Sequence, residues 1–232
     1  SEYFPAESWV VTDDPDKLVN KVSSDHQILV KELAGFLAEA GSEIVVISPY
    51  FIPGKKGMEF WRSITSKGVR VVVLTNSLAT NNHVPVHSGY ARYRHDLLDA
   101  GVELYEIRVD AAQVPGGDDQ QGYEAVTLHT KALSIDQRYT FVGSLNLDPR
   151  SIDINTEMGV LIDNADLTSG LTQRFFEKLP SMAYRVSENT NGKLRWTAEI
   201  SGEQVTETSE PQTSAWLRFK AILFRIFPES QL

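Results

Sequence analysis

The sequence predicts an α/β protein, an α/β/α sandwich whose central sheet is mixed and largely parallel. In the first half, short apolar runs rich in β-branched residues alternate with segments of helical periodicity, which is the pattern of parallel strands joined by helices. In the second half, three such runs follow one another closely within 125–163, as antiparallel strands joined by short turns do. One sheet with a parallel and an antiparallel part accounts for both halves.

The composition fits a globular protein and narrows its chemistry. The chain has 232 residues, 41% of them hydrophobic, and no cysteine, which excludes disulfides and thiol nucleophiles. Its formal net charge is −9, whereas an unspecific nucleic-acid binder is basic, so we expect no nucleic-acid partner. The sequence shows no signal-peptide pattern and no apolar run near the ~20 residues of a spanning helix.

The elements of the first half follow from apolar spacing and from turn residues. Residues 1–24 lack a clear period and are interpreted as a connector or an edge strand. The predicted elements that follow are a helix from an Asp25 N-cap to Gly41, a strand EIVVISPYF, a helix over 58–66, a strand VRVVVLT, a helix over 89–99 closed by Gly101, and a strand VELYEI.

The second half predicts hairpins and one long helix. Its elements are the strands AVTLHTKALSID, TFVGSLN and EMGVLID, a helix over 165–178 ended by Pro180, a hairpin KLRWTAEISGEQVTET about Ser201–Gly202, and a terminal segment AWLRFKAILFRIF. We therefore predict a central domain over 25–185 and a C-terminal extension over 186–232.

Two pairs of polar residues on neighbouring strands predict a phosphate site. If TLHTKALSI is a strand, His129 and Lys131 project from the same face, and Ser144 and Asn146 form a second pair with the same offset. An imidazole can attack phosphorus or transfer a proton, while the ammonium, hydroxyl and amide donate to phosphate oxygens. Glu157, one strand further on, is expected to accept a hydrogen bond from the other nitrogen of His129.

The complete spacing resembles the HKD motif of the phospholipase D superfamily. An isolated H-x-K pattern in a strand is usually structural, but here H-x-K-x4-D is followed by G-S-x-N and a later glutamate. The matching residues are His129, Lys131, Asp136, Gly143, Ser144, Asn146 and Glu157. The flanking stretches SPYFIPGKKG, LPSMAYRV and ESQL resemble the C-terminal half of bacterial cardiolipin synthases of the C type, and the resemblance covers nearly the whole chain.

The resemblance implies a phospholipase D-type fold and a two-histidine mechanism without metal or other cofactor. One histidine forms a phosphohistidine and the other protonates the leaving alcohol. The implied substrates are phosphatidylglycerol and a second phospholipid, joined into cardiolipin at the cytoplasmic face of the bacterial inner membrane, where the enzyme is peripheral.

The sequence contains one HKD motif, so the second histidine must come from elsewhere. It belongs either to an N-terminal HKD half of the same protein or to a second copy in a homodimer. The start at Ser1 and the likeness to a C-terminal half favour the first alternative, in which His129 is the general acid and base and the chain alone is inactive or weak. The other readings are a homodimeric phosphodiesterase or nuclease, and a non-catalytic interaction half.

Three further predictions concern residues around the motif. Asp136 belongs to the motif, but it falls at a hairpin turn, where we expect it to pin the chain rather than meet substrate. Strand-to-helix connections carry a candidate lipid head-group pocket, formed by Tyr50, His87, Tyr90 and Arg94, although Tyr90 and Arg94 are equally compatible with covering a helix face. The terminal segment is predicted to be a basic amphipathic helix that meets the membrane or docks on the other half.

Overall fold

A single ten-stranded mixed sheet organises the computed structural model, which describes residues 5–18, 27–111 and 127–226. The strand order is β1-β7-β6-β5-β2-β3-β4-β8-β9-β10. The strands are β1 (Glu7–Thr12), β2 (Glu43–Ile47), β3 (Arg70–Asn76), β4 (Glu103–Ile107), β5 (Ala132–Ile135), β6 (Tyr139–Gly143), β7 (Met158–Asp163), β8 (Ala183–Glu188), β9 (Leu194–Ile200) and β10 (Glu203–Glu207).

Seven α-helices are described, together with a short 3-10 helix at Pro15–Leu18. They are α1 (Ile28–Ala38), α2 (Gly54–Thr65), α3 (Val84–Ala91), α4 (Arg94–Asp99), α5 (Pro149–Asp153), α6 (Ala165–Met182) and α7 (Ala215–Phe224). No helix within these ranges is long and apolar enough to cross a bilayer.

The helices cover both faces of the sheet, as the α/β/α sandwich predicts. Alternate residues of β2 and β3 point to opposite faces, and both faces are covered, so the central residues of both strands are apolar and buried. On one face Val46 and Val73 pack with α1, α2 and α4 in the larger core cluster. On the other face Val45 and Val72 pack with Leu179 of α6.

The mixed α/β class is confirmed, but the parallel part of the sheet is smaller than expected. Among the described strands, only β2–β3 and β3–β4 are parallel, while the other neighbouring pairs are antiparallel. A parallel pair needs a crossover connection, and only α2 and the α3–α4 pair supply one between adjacent strands. The strands from β5 onward that neighbour one another in sequence are joined mostly by short turns.

Several predicted boundaries are corrected. The helix predicted over 89–99 is two helices, α3 and α4, and α3 begins earlier, with Pro85 in its first turn. Pro180 does not end α6, because it lies so near the C-terminal end that few backbone hydrogen bonds depend on it. β8 was not predicted, and it crosses the expected boundary between residues 185 and 186.

Other predictions of elements are confirmed or fall outside the described ranges. Residues 7–12 form an edge strand that pairs antiparallel with β7, and β9–β10 is a hairpin whose turn residues Ser201 and Gly202 both have positive φ. The regular strand in AVTLHTKALSID is limited to β5. The predicted N-cap Asp25 lies outside the described residues, as do Phe227 and the ESQL end.

Candidate active site

The segment that carries His129 and Lys131 lies at the edge of the sheet where the parallel strands end. β5 runs antiparallel to β2, and its first residue Ala132 pairs with Ile47, the last residue of β2. The side-chain amide of Asn76, at the end of β3, accepts from Leu128 N–H at 3.0 Å and donates to the Leu128 carbonyl oxygen at 3.1 Å. α/β sheets bind their ligands at this edge.

Sequence analysis missed Asn76, which is only 1% exposed. Its two hydrogen bonds fix the chain just before His129, so it positions the first half of the motif. The available signal was a polar residue at the carboxyl end of an otherwise apolar strand, where α/β proteins usually carry functional side chains.

The two halves of the motif are joined directly by the backbone. The N–H of Gly143 donates to the carbonyl oxygen of Lys131 at 3.2 Å, so Ser144 follows immediately beside the His129–Lys131 segment. The structure therefore brings together His129, Lys131, Ser144 and the following loop at one edge of the sheet.

Lys131 is held in a partly buried position. Its Nζ donates to the His129 carbonyl oxygen at 2.8 Å, while the His129 side chain is exposed. Burial lowers the pKa of the Lys131 ammonium from its usual value, and the carboxylates of Glu157 and Asp148 act in the opposite direction. Lys131 is thus a partly buried cation beside the His129 backbone, and a bound anion would stabilise its charge.

Close approach of β6 and β7 depends on a pair of facing glycines. Gly143 and Gly159 are register partners. A Cβ on Gly143 would lie 2.5 Å from the Met158 carbonyl oxygen, and one on Gly159 would lie 2.3 Å from the Phe141 ring. The Gly of the G-S-x-N pattern is therefore required by packing, which sets Ser144 against the start of β7.

Glu157 bonds to Ser144 instead of His129. The Ser144 hydroxyl donates to Glu157 Oε2, and Asn155 Nδ2 donates to Glu157 Oε1 at 3.3 Å. No hydrogen bond joins Glu157 to His129 in the described part of the chain, so the expected direct hydrogen bond between these two side chains is not formed there. The reason is strand order: Glu157 immediately precedes β7, and β6 lies between β7 and β5, so the nearest motif side chain is Ser144.

Asn146 and its neighbours form the loop that closes the site. The Asn146 Oδ1 atom is buried and has no partner among the described residues. Leu147 is fixed on both sides, since its N–H donates to Ser48 Oγ at 3.2 Å and its carbonyl accepts from Ile52 N–H at 2.7 Å. Buried polar atoms in proteins are normally paired, so this unpaired acceptor is consistent with a ligand that donates a hydrogen bond, whereas a phosphate oxygen would need the Nδ2 donor of the same amide.

Asp136 lies away from this edge, and we remove it from the candidate catalytic residues. It occupies the β5–β6 turn with φ of 51°. Its carboxylate accepts from Gly41 N–H at 2.8 Å, Ser42 N–H at 2.8 Å, Ser42 Oγ at 2.7 Å and Glu43 N–H at 2.9 Å. The turn is at the opposite end of β5 from His129. Asp136 therefore holds the β5–β6 turn against the loop that joins α1 to β2.

Of the four head-group candidates, only Tyr50 lies near the site. Its half-buried ring contacts His83 edge to face at 6.0 Å between centroids. Burial raises the pKa of the Tyr50 hydroxyl, and the nearby carboxylate of Asp148 raises it further. Asp148 also caps α5 in the site loop, which connects Tyr50 with the motif edge.

The other three candidates form a buried ionic cluster rather than a surface pocket. His87, Tyr90 and Arg94 are at most 2% exposed. Arg94 Nε donates to Glu106 at 2.8 Å, and Tyr90 donates to the same carboxylate at 3.0 Å. Although burial opposes the charge of Arg94, Glu106 and Glu210 hold its pKa above the ordinary value. These side chains are buried and bond to one another and to two glutamates, although His87 Nδ1 has no partner among the described residues, so the expected surface pocket for a lipid head group is not formed here.

Comparisons with known proteins show the family of the chain and agree with its fold. The family model described as "Cardiolipin synthase, PLD-like domain" matches residues 33–179. Cardiolipin synthase C of Escherichia coli is 35% identical over 225 residues, which cover 96% of this chain and 47% of that protein. An uncharacterized Helicobacter pylori protein is 32% identical over 228 residues, covering 96% and 43%. The chain thus spans about half the length of these relatives.

Solved structures share the fold at low sequence identity. Nuc of Salmonella typhimurium, a phospholipase D family member, has a TM-score of 0.55 and 13% identity, covering 78% of this chain and 98% of that one. NucT of Helicobacter pylori has a TM-score of 0.56 and 15% identity, covering 77% and 99%.

Proposed function

Since the chain belongs to the phospholipase D-like domain family of cardiolipin synthases, we propose that it carries one half of the active site of a phosphatidyltransferase. The reaction joins phosphatidylglycerol and a second phospholipid into cardiolipin. The observation that carries the proposal is the backbone hydrogen bond from Gly143 to Lys131, because it unites the two halves of the HKD pattern at the ligand edge of the sheet.

In the proposed reaction, one histidine nitrogen attacks phosphorus, so that a P–N bond forms while the P–O bond to the leaving alcohol breaks. A second histidine gives its proton to that alkoxide. The acceptor alcohol then loses its proton to the second histidine and attacks phosphorus, forming the new P–O bond and breaking the P–N bond. His129 takes the acid and base role, and the other half supplies the nucleophile.

The remaining side chains stabilise the charge on the phosphoryl oxygens. Lys131 offers an ammonium that burial leaves incompletely solvated, and Asn146 offers the N–H groups of its side-chain amide. Ser144 donates its single hydroxyl proton to Glu157, so this pair holds the site loop in place and leaves donation to the phosphate to Lys131 and Asn146.

A second imidazole must come from outside the described residues. Of the other histidines in the described ranges, His87 is buried against Arg94, His95 pairs with Glu188 at 2.6 Å, and His83 contacts Tyr50. None of them has the H-x-K setting of His129. An N-terminal half with its own HKD motif fits the coverage of about half of each relative.

Peripheral binding to the cytoplasmic face of the bacterial inner membrane completes the proposal, with α7 as the contact. α7 packs on α3, where Ser88 Oγ donates to the Ala221 carbonyl oxygen at 2.8 Å. Its outer side exposes Trp216 by 63% and Phe219 by 54%, and Lys220 lies over the Trp216 ring. Exposed aromatic residues beside cations are the features of a helix that lies on an anionic bilayer.

The test is to assay the chain alone and together with the upstream half on phosphatidylglycerol vesicles, measuring cardiolipin by mass spectrometry and molar mass in solution. We expect the chain alone to be inactive and the complete enzyme to make cardiolipin. His129→Ala should lower turnover at least about 100-fold, the usual contribution of a general acid or base. His95→Ala is the matched control, because that histidine is exposed and its ring hydrogen-bonds to Glu188 away from the motif.

Two results would contradict the proposal. Robust activity from a dimer of this chain alone, lost in His129→Ala, would mean a homodimeric enzyme. Failure of the complete enzyme to make cardiolipin, with hydrolysis of phosphodiesters instead, would mean a phosphodiesterase or nuclease.

A further inference from the structure

An apolar groove runs between α1 and α2, on one face of the sheet, and reaches the loop that carries Ser144 and Asn146. Its volume is about 740 Å³, within the range of roughly 300–1,000 Å³ usual for small-molecule sites. Its walls include Leu37 of α1, Trp61 of α2 and Phe51 between β2 and α2. None of the catalytic side chains lines it.

The site loop has two chemically different sides. In the run Ser144-Leu145-Asn146-Leu147, Leu145 and Leu147 line the groove, whereas the two polar residues belong to the phosphate site. Leu147 is fixed by hydrogen bonds to Ser48 and Ile52, so the loop is held at the head of the groove. A phosphate on one side of this loop is therefore adjacent to apolar walls on the other.

One layer of side chains separates the groove from the motif lysine. A small void of about 10 Å³ is lined by Lys131 together with Leu33, Leu145 and Leu147. The same three leucines line the groove. The groove and the phosphate site are thus neighbouring compartments with a shared apolar wall.

The mouth of the groove is cationic. Lys55 and Lys56, at the start of α2, are exposed, and neither forms an ion pair with any residue in the described ranges. The acid on the rim, Asp153, accepts from Gln27 Nε2 at 2.9 Å. Apolar walls below two lysines are complementary to an amphiphile with an anionic head.

We propose that this groove holds an acyl chain of the phospholipid whose phosphate lies at His129 and Lys131. The inference rests on the proposed function and adds a determinant of substrate class: the groove favours lipids with long chains over short-chain phosphodiesters. Lys55 and Lys56 face the anionic head groups of the lipid or its neighbours at the mouth.

The test fills the groove with one side chain. Ala34 of α1 lines it, whereas Ala38, one turn further along the same helix, is exposed and does not. In the complete enzyme, Ala34→Phe should lower the ratio of dioleoyl- to dihexanoyl-phosphatidylglycerol transfer by about tenfold, the loss expected when roughly two methylene groups leave an apolar site. Ala38→Phe should leave that ratio unchanged.

A binding measurement separates the groove from catalysis. A lysophosphatidylglycerol with a brominated chain, used below its micelle concentration, should quench the fluorescence of Trp61, and the Trp61→Phe variant assigns that signal. Ala34→Phe should abolish the quenching. Lys55→Glu with Lys56→Glu changes only exposed side chains, and it should weaken binding about tenfold even if Ala34→Phe proves unstable.

The outcomes are distinct. Equal ratios for Ala34→Phe and Ala38→Phe, or quenching of Trp61→Phe as strong as that of the wild type, would overturn the groove. The proposal would also fail if Ala34→Phe weakened the association of this chain with the upstream half and lowered transfer of both lipids equally. That result would mean that protein, and not an acyl chain, covers the groove. If the wild type makes no cardiolipin but the brominated lipid still quenches Trp61, the groove stands and the proposed function fails.

Discussion

Asp136 and Lys131 belong to one sequence motif and have opposite relations to the fold. The Asp136 carboxylate is stabilised: burial opposes its charge, but hydrogen bonds from Gly41, Glu43 and Ser42 lower its pKa below the usual value. The Lys131 ammonium is destabilised, because burial lowers its pKa. A charge that the fold favours is structural, and a charge held at a cost is available for binding an anion.

We expect Asp136→Asn to reduce stability without changing the chemistry of the folded enzyme. At pH 7 the loss of charge-assisted hydrogen bonds should lower the free energy of unfolding by about 2 kcal/mol. Because the folded-state pKa of Asp136 is lowered, its contribution is complete above the unfolded value of 3.8 and disappears as pH falls through the folded value. Wild type and variant should therefore converge in urea unfolding as the pH falls through the folded-state pKa of Asp136, below 3.8.

The control for this prediction is Asp99→Asn, an exposed carboxylate at the end of α4. It should leave the unfolding curve unchanged. A loss of turnover in Asp136→Asn with unchanged stability would instead return Asp136 to the catalytic set.

At this scale the sequence predicts candidate reacting groups but not the side chains that bond to them. The spacing of His129, Lys131 and Asn146 was enough to predict a phosphate site, because residue type and offset carry that information. The hydrogen-bond partner of Glu157 depends on which strand lies beside β7. The spacing of residues along the chain does not determine that strand order. Arg94 bonds to Glu210, which lies 116 positions further along the chain, so local sequence could not predict that Arg94 is buried.

Among the elements, the β6–β7 pair is the most constrained. The facing glycines let the Phe141 ring lie against the backbone of β7, and the same approach sets Ser144 within reach of Glu157. The geometry of the site therefore depends on two residues that have no chemistry of their own.

We expect Gly143→Ala to be strongly destabilising. Its Cβ would lie 2.5 Å from the Met158 carbonyl oxygen, and backbone cannot yield as a flexible side chain does. A loss of about 3 kcal/mol in the free energy of unfolding follows from overpacking of this kind. Gly170→Ala is the matched control: it lies inside α6 with open space around the added Cβ, and it should gain about 0.5–1 kcal/mol. Equal effects in urea unfolding would contradict this account.

Helices and strands were predictable from the sequence where glycine or other turn residues mark their ends. The helices α1 and α2 and the strands β2 to β4 are separated by turn residues such as Gly41 and Gly101, and their apolar periods are distinct. β8 was missed because α6 passes into it at Ala183 without a glycine, while Pro180 suggested an earlier end. Local turn chemistry is thus the part of the fold that the sequence states directly.

On the scale of the whole molecule, the edge that carries His129 also carries α3, which follows β3 and supports α7. Binding of α7 to a bilayer would therefore hold this edge of the sheet near the lipid. The alternative for α7 is to pack against the other half of the enzyme.

Phe219→Ser together with Leu223→Ser should weaken binding to vesicles containing phosphatidylglycerol by at least about tenfold, because apolar area is lost from the bilayer contact. Both side chains are exposed, so the fold should be unaffected. Leu171→Ser on α6, which is also exposed, is the control in the same sedimentation assay. Unchanged vesicle binding with lost association of the two halves would assign α7 to the protein interface.

The two outermost strands of the sheet have unequal protection against self-association. β10 presents Glu203 and Glu207, and acidic side chains on an edge discourage pairing with another chain. β1 exposes Trp9 and Val10 instead, and among the described strands it pairs only with β7. Concentrated preparations of the isolated chain are therefore expected to associate edge to edge through β1, producing a particle of twice the mass whose two His129 sites never meet. Val10→Lys places a charge on β1 and should prevent this pairing. A dimer that still forms in the Val10→Lys variant would therefore use another interface, such as one that joins two active sites.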